Sequence, residues 1–265
     1  MSRLSGEQVK IGYGDSTIIN NLDVAIPDGK VTSIIGPNGC GKSTLLKALS
    51  RLLSIKEGKI NLDGKSIHAT STKEIAKKIA ILPQSPEVPD GLTVGELVSY
   101  GRFPHQKGFG RLTAEDKKEI DWPLSVTGTS EFRHRTINDL SGGQRQRVWI
   151  AMALAQRTDI IFLDEPTTYL DICHQLEILN LVKKLNEEEG CTIVMVLHDI
   201  NQAIRFSDHL ITMKAGDIVA TGQTDEVLTK DILEKVFNID GVLDIDPRTG
   251  KPILVTYDLF CQTYS

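Results

Sequence analysis

The sequence predicts an α/β fold: a parallel-sheet core joined to an N-terminal antiparallel β layer and interrupted by a mainly helical stretch. Three observations predict it. The apolar run Val31-Thr32-Ser33-Ile34-Ile35 opens into a glycine-rich loop followed by a helix-periodic segment. A second run, Ile160-Ile161-Phe162-Leu163, ends in Asp164-Glu165-Pro166, and a third, Thr192 to Val196, stops just before His198. Buried strands that end at polar residues fit a sheet whose C-terminal edge takes the ligand.

The composition sets bounds on function. With 265 residues, 40% of them hydrophobic and 25% charged, the chain has enough apolar material for one large or two small cores. A formal net charge of −5 argues against general nucleic-acid binding, which needs a basic face. No apolar run reaches the roughly 18 residues of a membrane span, and the start MSRLSGEQVK lacks a signal-peptide core. A cytoplasmic protein that docks on a membrane partner fits these limits. Cys40, Cys173, Cys191 and Cys261 form no C-x-x-C pair and no zinc spacing, so they read as reduced thiols.

Taken in order, Glu7 to Ile26 alternates apolar runs with turns and reads as antiparallel strands. Tyr13, between Gly12 and Gly14, reads either as a flat face for a base or as an ordinary aromatic at a strand end. Next comes Gly36-Pro37-Asn38-Gly39-Cys40-Gly41-Lys42-Ser43-Thr44, which fits G-x-x-x-x-G-K-[ST]. Glycines let such a loop turn its N–H groups inward on phosphate oxygens, Lys42 adds a full positive charge, and the helix dipole points the same way. The Ser43 hydroxyl suits a Mg²⁺ shell, and Cys40 reads as a small side chain that the loop tolerates. The helix is expected from Lys42 to about Leu53. Lys59 to Ile67 then forms a hairpin around the Asp63-Gly64 turn.

Ile79 to Leu82 is a buried strand ending at Pro83-Gln84, and the proline-rich SPEVPDGL after it marks a subdomain boundary. Helices dominate beyond it. Thr93 with Glu96 is a capping box, Thr113 caps a second helix through Ile120, and Pro123 is expected to kink or end that helix. The loop Gly101 to Arg111 reads as a docking surface or a flexible connector. Ser141 and Gln144 form another capping box, with Gly142 and Gly143 leaving first-turn amides uncovered. By itself that is either a second anion-ready helix start or only a good cap. The helix after it should reach about Arg157.

Asp164 and Glu165 read either as a solvated turn or, since neighbouring side chains on a strand diverge, as groups with different jobs, Asp164 holding a Mg²⁺ shell and Glu165 orienting or deprotonating a water. His174 to about Glu188 is an amphipathic helix, with Leu176, Leu179, Val182 and Leu185 on one face. His198 shares the strand-end edge with the two acids, and reads as a nucleotide contact or as a structural histidine. Leu210 to Met213 and Ile218 to Thr221 read as a closing hairpin around Ala215-Gly216. From Asp225 onward the pattern gives helices and then extended pieces, with no evident chemistry.

Together, GPNGCGKST, Gln84, LSGGQ, IIFLDEP and His198, in this order, resemble the ATP-binding-cassette (ABC) ATPases from about Glu7 to Thr229. The resemblance implies a P-loop NTPase core with an N-terminal β layer, over 1–84 and 157–230. It also implies a helical signature-motif subdomain over 85–156, and leaves 231–265 as a C-terminal extension. It implies ATP with Mg²⁺, and a role for each matched residue. Tyr13 is similar to the adenine-stacking aromatic, and Gly36 to Thr44 to the phosphate loop. Gln84 matches the glutamine that meets Mg²⁺, and Asp164 the metal-shell aspartate. Glu165 matches the catalytic base or water-orienting residue, and His198 the γ-phosphate switch. Ser141, Gly142, Gly143 and Gln144 match the signature that meets ATP across a head-to-tail dimer. Asp171, with Leu170, resembles the loop that crosses to the partner, although Thr168-Tyr169 replaces the more common small pair.

A finer likeness is to the ATPases of bacterial siderophore importers, through Gly101-Arg102-Phe103-Pro104, Pro166 to Gln175 and His198 to Ala203. It implies uptake of an iron(III)-siderophore, with hydroxamates the nearest match, by a subunit on the cytoplasmic face of the membrane. The partners implied are a second copy, transmembrane permease subunits and, indirectly, an extracytoplasmic siderophore-binding protein, with no nucleic acid. Haem and cobalamin importer ATPases share most of these features. A non-transport cassette would carry long coiled-coil insertions or a second cassette, and neither is in the sequence.

Overall fold

The computed structural model describes residues 2–84, 86, 90–106 and 112–260. Its elements begin with β1 (Ser2–Tyr13), β2 (Ser16–Pro27), β3 (Val31–Ile35), α1 (Lys42–Leu49), β4 (Glu57–Leu62) and β5 (Lys65–Ser66). They continue through α2 (Thr72–Ala76), β6 (Ile79–Leu82), α3 (Val94–Tyr100), α4 (Ala114–Val126), α5 (Gly142–Ala155) and β7 (Ile160–Asp164). The last are α6 (Ile172–Glu189), β8 (Thr192–Val196), α7 (Ile200–Phe206), β9 (His209–Lys214), β10 (Asp217–Gln223), β11 (Ile239–Ile245) and β12 (Pro252–Leu259). The chain forms two compact units, 1–68 with 194–265, and 69–193.

In the first unit an antiparallel sheet runs in the order β2-β1-β4-β5. Asp63 and Gly64 both take left-handed backbone, which a tight turn matching the strand twist requires. β3 pairs in parallel with β9, and β9 pairs antiparallel with β10. All five β3 residues are buried, as are Leu45, Leu46, Ala48 and Leu49 of α1, so the loop between β3 and α1 is anchored at both ends. α1 stops at Leu49, short of the expected Leu53. Arg51 is left-handed there, and the Leu53 N–H turns back to the Lys47 carbonyl at 3.0 Å.

The C-terminal segment closes on the same unit. The hairpin β11–β12 meets α7 through a reciprocal pair: Asn201 Nδ2 donates to the Leu254 carbonyl (3.0 Å), and the Leu254 N–H donates to Asn201 Oδ1 (2.8 Å). Lys251 Nζ donates to the carbonyls of Ile204 (3.0 Å) and Ser207, where a cation also opposes the negative end of the α7 dipole.

In the second unit β6 and β7 are parallel, with Ile79 opposite Ile160 and Leu82 opposite Leu163. α3, α4 and α5 pack together, and a buried ion pair ties them. Arg102 Nε donates to Asp116 Oδ1 at 2.9 Å and its Nη1 to the Ala155 carbonyl at 2.8 Å, with both side chains under 10% exposed. Capping boxes form at Thr93, Thr113 and Ser141. Pro123 does not end α4, which continues to Val126. The proline removes one backbone donor, while Pro123 and Leu124 are buried and Thr127 Oγ1 closes the helix end on the Pro123 carbonyl. α5 stops at Ala155, and α6 begins at Ile172, ahead of the expected His174, because Asp171 is its N-cap. Parts of the expected breaker (85 and 87–89) and of the loop read as a docking surface or connector (107–111), and Cys261, lie outside the described residues. Among the described residues no helix is long and apolar enough to cross a membrane.

Candidate active site

The phosphate loop belongs to the first unit. β3 delivers the chain to Gly36, and the loop reaches α1 through Gly41, whose φ of 105° is left-handed and disfavours any side chain. No side chain caps α1, so its first-turn amides keep no local acceptor of that kind. Lys42, 5% exposed, folds back on the loop and donates from Nζ to the carbonyls of Gly36 (2.9 Å) and Pro37 (3.0 Å). Ser43 is half-buried and Thr44 buried, whereas Asn38 and Gly39 are exposed. Cys40 is buried, and burial pushes its thiol pKa up despite the opposing Lys42 charge. The Cys40 carbonyl accepts the Gly216 N–H at 2.9 Å, so the β9–β10 turn braces the loop. That brace went unread in the sequence, where Ala215-Gly216 signalled only a hairpin. His198 is exposed and follows β8, beside β3: the Leu197 N–H donates to the Ile34 carbonyl at 3.3 Å. Tyr13 ends β1 with its ring half exposed.

The second unit carries the carboxylates. Because Leu82 faces Leu163, the parallel β6 and β7 bring Gln84, Asp164 and Glu165 to one sheet edge. Asp164 is 2% exposed. Glu165 is left-handed (φ 53°), a conformation that costs a non-glycine residue on the order of 1–2 kcal/mol. Its Oε2 accepts from Gln84 Nε2 and from Thr168 Oγ1 (3.0 Å), and its carbonyl accepts the Thr168 N–H at 3.2 Å. Thr168 is therefore a site residue that the sequence offered only as a departure from a family pattern. The one available signal was a hydroxyl three residues after an acid in a turn.

The Ser141–Gln144 start is also in this unit. Ser141 Oγ accepts the Gln144 N–H (3.3 Å) and Gln144 Oε1 accepts the Ser141 N–H (3.0 Å), leaving Ser141 and Gly142 exposed and Gly143 buried. Asp171 caps α6 by accepting the His174 N–H, and this bond with the His174 ring holds its carboxyl below the usual carboxylate range.

Ser43 offers a hydroxyl, Gln84 an amide oxygen and Asp164 a carboxylate. Each is a hard oxygen donor of the kind Mg²⁺ takes, Ser43 in the first unit and Gln84 with Asp164 in the second. Among the described residues no cluster of three or more His, Cys, Asp or Glu is placed to hold a metal by itself.

The family model described as ABC transporter matches residues 19–168, more than half of the chain. The iron(3+)-hydroxamate import ATP-binding protein FhuC of Bacillus subtilis (strain 168) is 60% identical over 259 residues, which cover 98% of this chain and 96% of that protein. The ferric enterobactin transport ATP-binding protein FepC of Escherichia coli (strain K12) is 48% identical over 255 residues, covering 96% and 94%. Among solved structures, a dimeric bacterial ABC transporter cassette superposes with a TM-score of 0.73 at 34% identity, covering 83% of this chain and 98% of that one. An inward-facing chain described as a metal-chelate type ABC transporter gives 0.83 at 26% identity, covering 99% of both. A phosphate loop, a buried aspartate and a glutamate at strand ends, and a serine-capped signature helix all lie in a chain matched by that model over more than half its length. The chain therefore belongs to the ABC transporter family, as one of its ATP-binding cassettes.

Proposed function

We propose that this chain is the ATP-hydrolysing subunit of an importer for iron(III)-siderophore complexes, with hydroxamate siderophores as the cargo class. The observation that supports it most is 60% identity along nearly the whole chain to a protein named for iron(3+)-hydroxamate import. In this reading two copies associate head to tail on permease subunits at the cytoplasmic face of the membrane. An extracytoplasmic binding protein supplies the cargo. ATP lies on Gly36–Thr44 of one copy and meets Ser141–Gln144, together with the Asp171 loop, from the other. The helical segment 85–156 acts as the subdomain that presents the signature, and Tyr13 stacks on adenine.

The chemistry is phosphoryl transfer to water. Lys42 exchanges its two carbonyl partners for phosphate oxygens, trading neutral acceptors for charged ones. Ser43, Gln84 and Asp164 would hold Mg²⁺, which when bound offsets charge on the phosphates. Glu165 orients the attacking water, its carboxylate steadied by Gln84 and Thr168. His198 reads the γ-phosphate from the end of β8.

Glu165→Gln should retain ATP, remain a closed dimer and lose about 10²–10⁴ in turnover, the usual contribution of a general base. Steady-state ATPase at the native rate would contradict the assignment. For the cargo, uptake of labelled ferric hydroxamate, haem and cobalamin is compared in cells lacking the chain. Loss of ferric hydroxamate uptake is expected, and loss of cobalamin uptake alone would overturn the cargo.

A further inference from the structure

We infer that His174 is a positioning residue for the signature helix: its imidazole, clamped by Asp171, fills the space beside Gly143 and sets the register of α5 against α6. The inference rests on the ATPase reading and deepens it, because Ser141–Gln144 is the stretch that reading puts on the nucleotide.

Two sets of contacts carry it. Asp171 grips His174 twice, accepting its backbone N–H on Oδ1 at 3.0 Å, while ring Nδ1 lies 2.8 and 2.9 Å from Oδ1 and Oδ2. The ring is thereby fixed in direction, with its other edge turned to α5. There it meets Gly143. A Cβ on Gly143 would lie 2.3 Å from His174 Cδ2 and 2.8 Å from Cγ, closer than real Cβ atoms come, and 3.1 Å from Nε2. Gly143 has no positive φ, so backbone conformation does not demand glycine there. The ring does.

The contact continues along both helices. One turn further on, Arg147 of α5 meets Glu177 of α6 at 4.0 Å. On the other side Leu170 approaches Gly142, with 3.6 Å to a Cβ built there, and Gln175 Nε2 holds the Leu170 carbonyl at 2.8 Å. The loop before α6 and the first turn of α5 thus form one rigid corner, with His174 wedged in it. Any shift of Asp171 is passed to the amides of Gly142 and Gly143 through the imidazole. His174 itself is given no contact with nucleotide.

The test is a double-mutant cycle in the full chain, read as soluble yield, ATPase turnover and ATP-driven dimerisation in a Glu165→Gln background. Gly143→Ala should cut yield or turnover tenfold or more, since its methyl strikes the ring. In His174→Ala, with the ring gone, adding Gly143→Ala should cost less than twofold. If the two losses simply multiply, Gly143 is small for another reason, such as close approach of the nucleotide, and the inference fails. His174→Ala should weaken ATP-driven dimerisation about tenfold while nucleotide affinity of the separate chain stays within twofold. Equal loss of both would mark general unfolding and overturn the positioning role. His174→Asn, which can still donate to Asp171, should restore at least half of the dimerisation, and no rescue would sink the clamp. If the parent protein neither binds ATP nor dimerises, the ATPase reading itself has failed, a result distinct from all of these.

Discussion

The starts of α1 and α5 are both glycine-rich, and they are built in opposite ways. Gly41 enters α1 with a left-handed backbone and no side-chain cap, and Lys42 folds back on the carbonyls of the loop before it. Ser141 enters α5 with a complete capping box, so the Gln144 amide and its own N–H are already satisfied within the chain. What remains at α5 is the serine hydroxyl and the amides of Gly142 and Gly143. The first start can envelop a triphosphate, whereas the second can add only a few directed contacts to a ligand held elsewhere. A site of the second kind serves better as a detector of bound nucleotide than as its container.

Removing the charge from the first start should have the largest effect. Lys42→Ala should lose about 10²–10³ in turnover, as for deletion of one stabilising donor, and nucleotide affinity should fall with it when both are measured by steady-state kinetics and titration calorimetry. Retained affinity would mean that the loop amides alone hold the phosphates. The second start should behave differently. Ser141→Ala removes the cap, costing about 1 kcal/mol of stability in thermal unfolding, and should lower turnover while leaving affinity of the separate chain unchanged. Equal loss of affinity would erase the distinction between container and detector.

The smallest effect concerns the thiols. At pH 8, maleimide labelling followed by peptide mapping should find Cys173, which is exposed, modified before Cys40 and Cys191. Cys191 is buried, with its pKa pushed up to about 11, so its thiolate is on the order of 10⁻³ of the population. Cys40 should be slow as well, because the phosphate loop buries it, and ATP should slow it further. Fast labelling of Cys40 would show that the first start opens without nucleotide.

Much of this was readable from the residues. The phosphate loop, the capping boxes at Thr93 and Ser141, the Thr113 cap, the Asp63-Gly64 turn and the acid pair at the end of β7 depend on neighbours a few positions apart, and local spacing expresses them directly. The misreadings have a local cause too. Periodicity carried α1 on to Leu53, because nothing in Arg51-Leu52 announces a left-handed turn, and of the kink or end expected at Pro123 the end does not occur, because the burial that retains it in α4 is not written beside it. The C-terminal segment seemed idle, yet Asn201 and Leu254, 53 residues apart, exchange two hydrogen bonds that fasten α7 just after His198.

The sequence by itself determined which groups are offered: a backbone cradle with its lysine, a capped signature helix, and carboxylates at a strand end. Glycine positions, caps and apolar runs specify such units within one or two turns of chain. Only the tertiary structure decided which groups lean on which. Gln84 reaches Glu165 across 81 residues because β6 and β7 pair in one register, and Thr168 completes that support. Gly143 must be small because a histidine on another helix fills its place. Such constraints arise from distances between atoms far apart along the chain, and no local pattern records them.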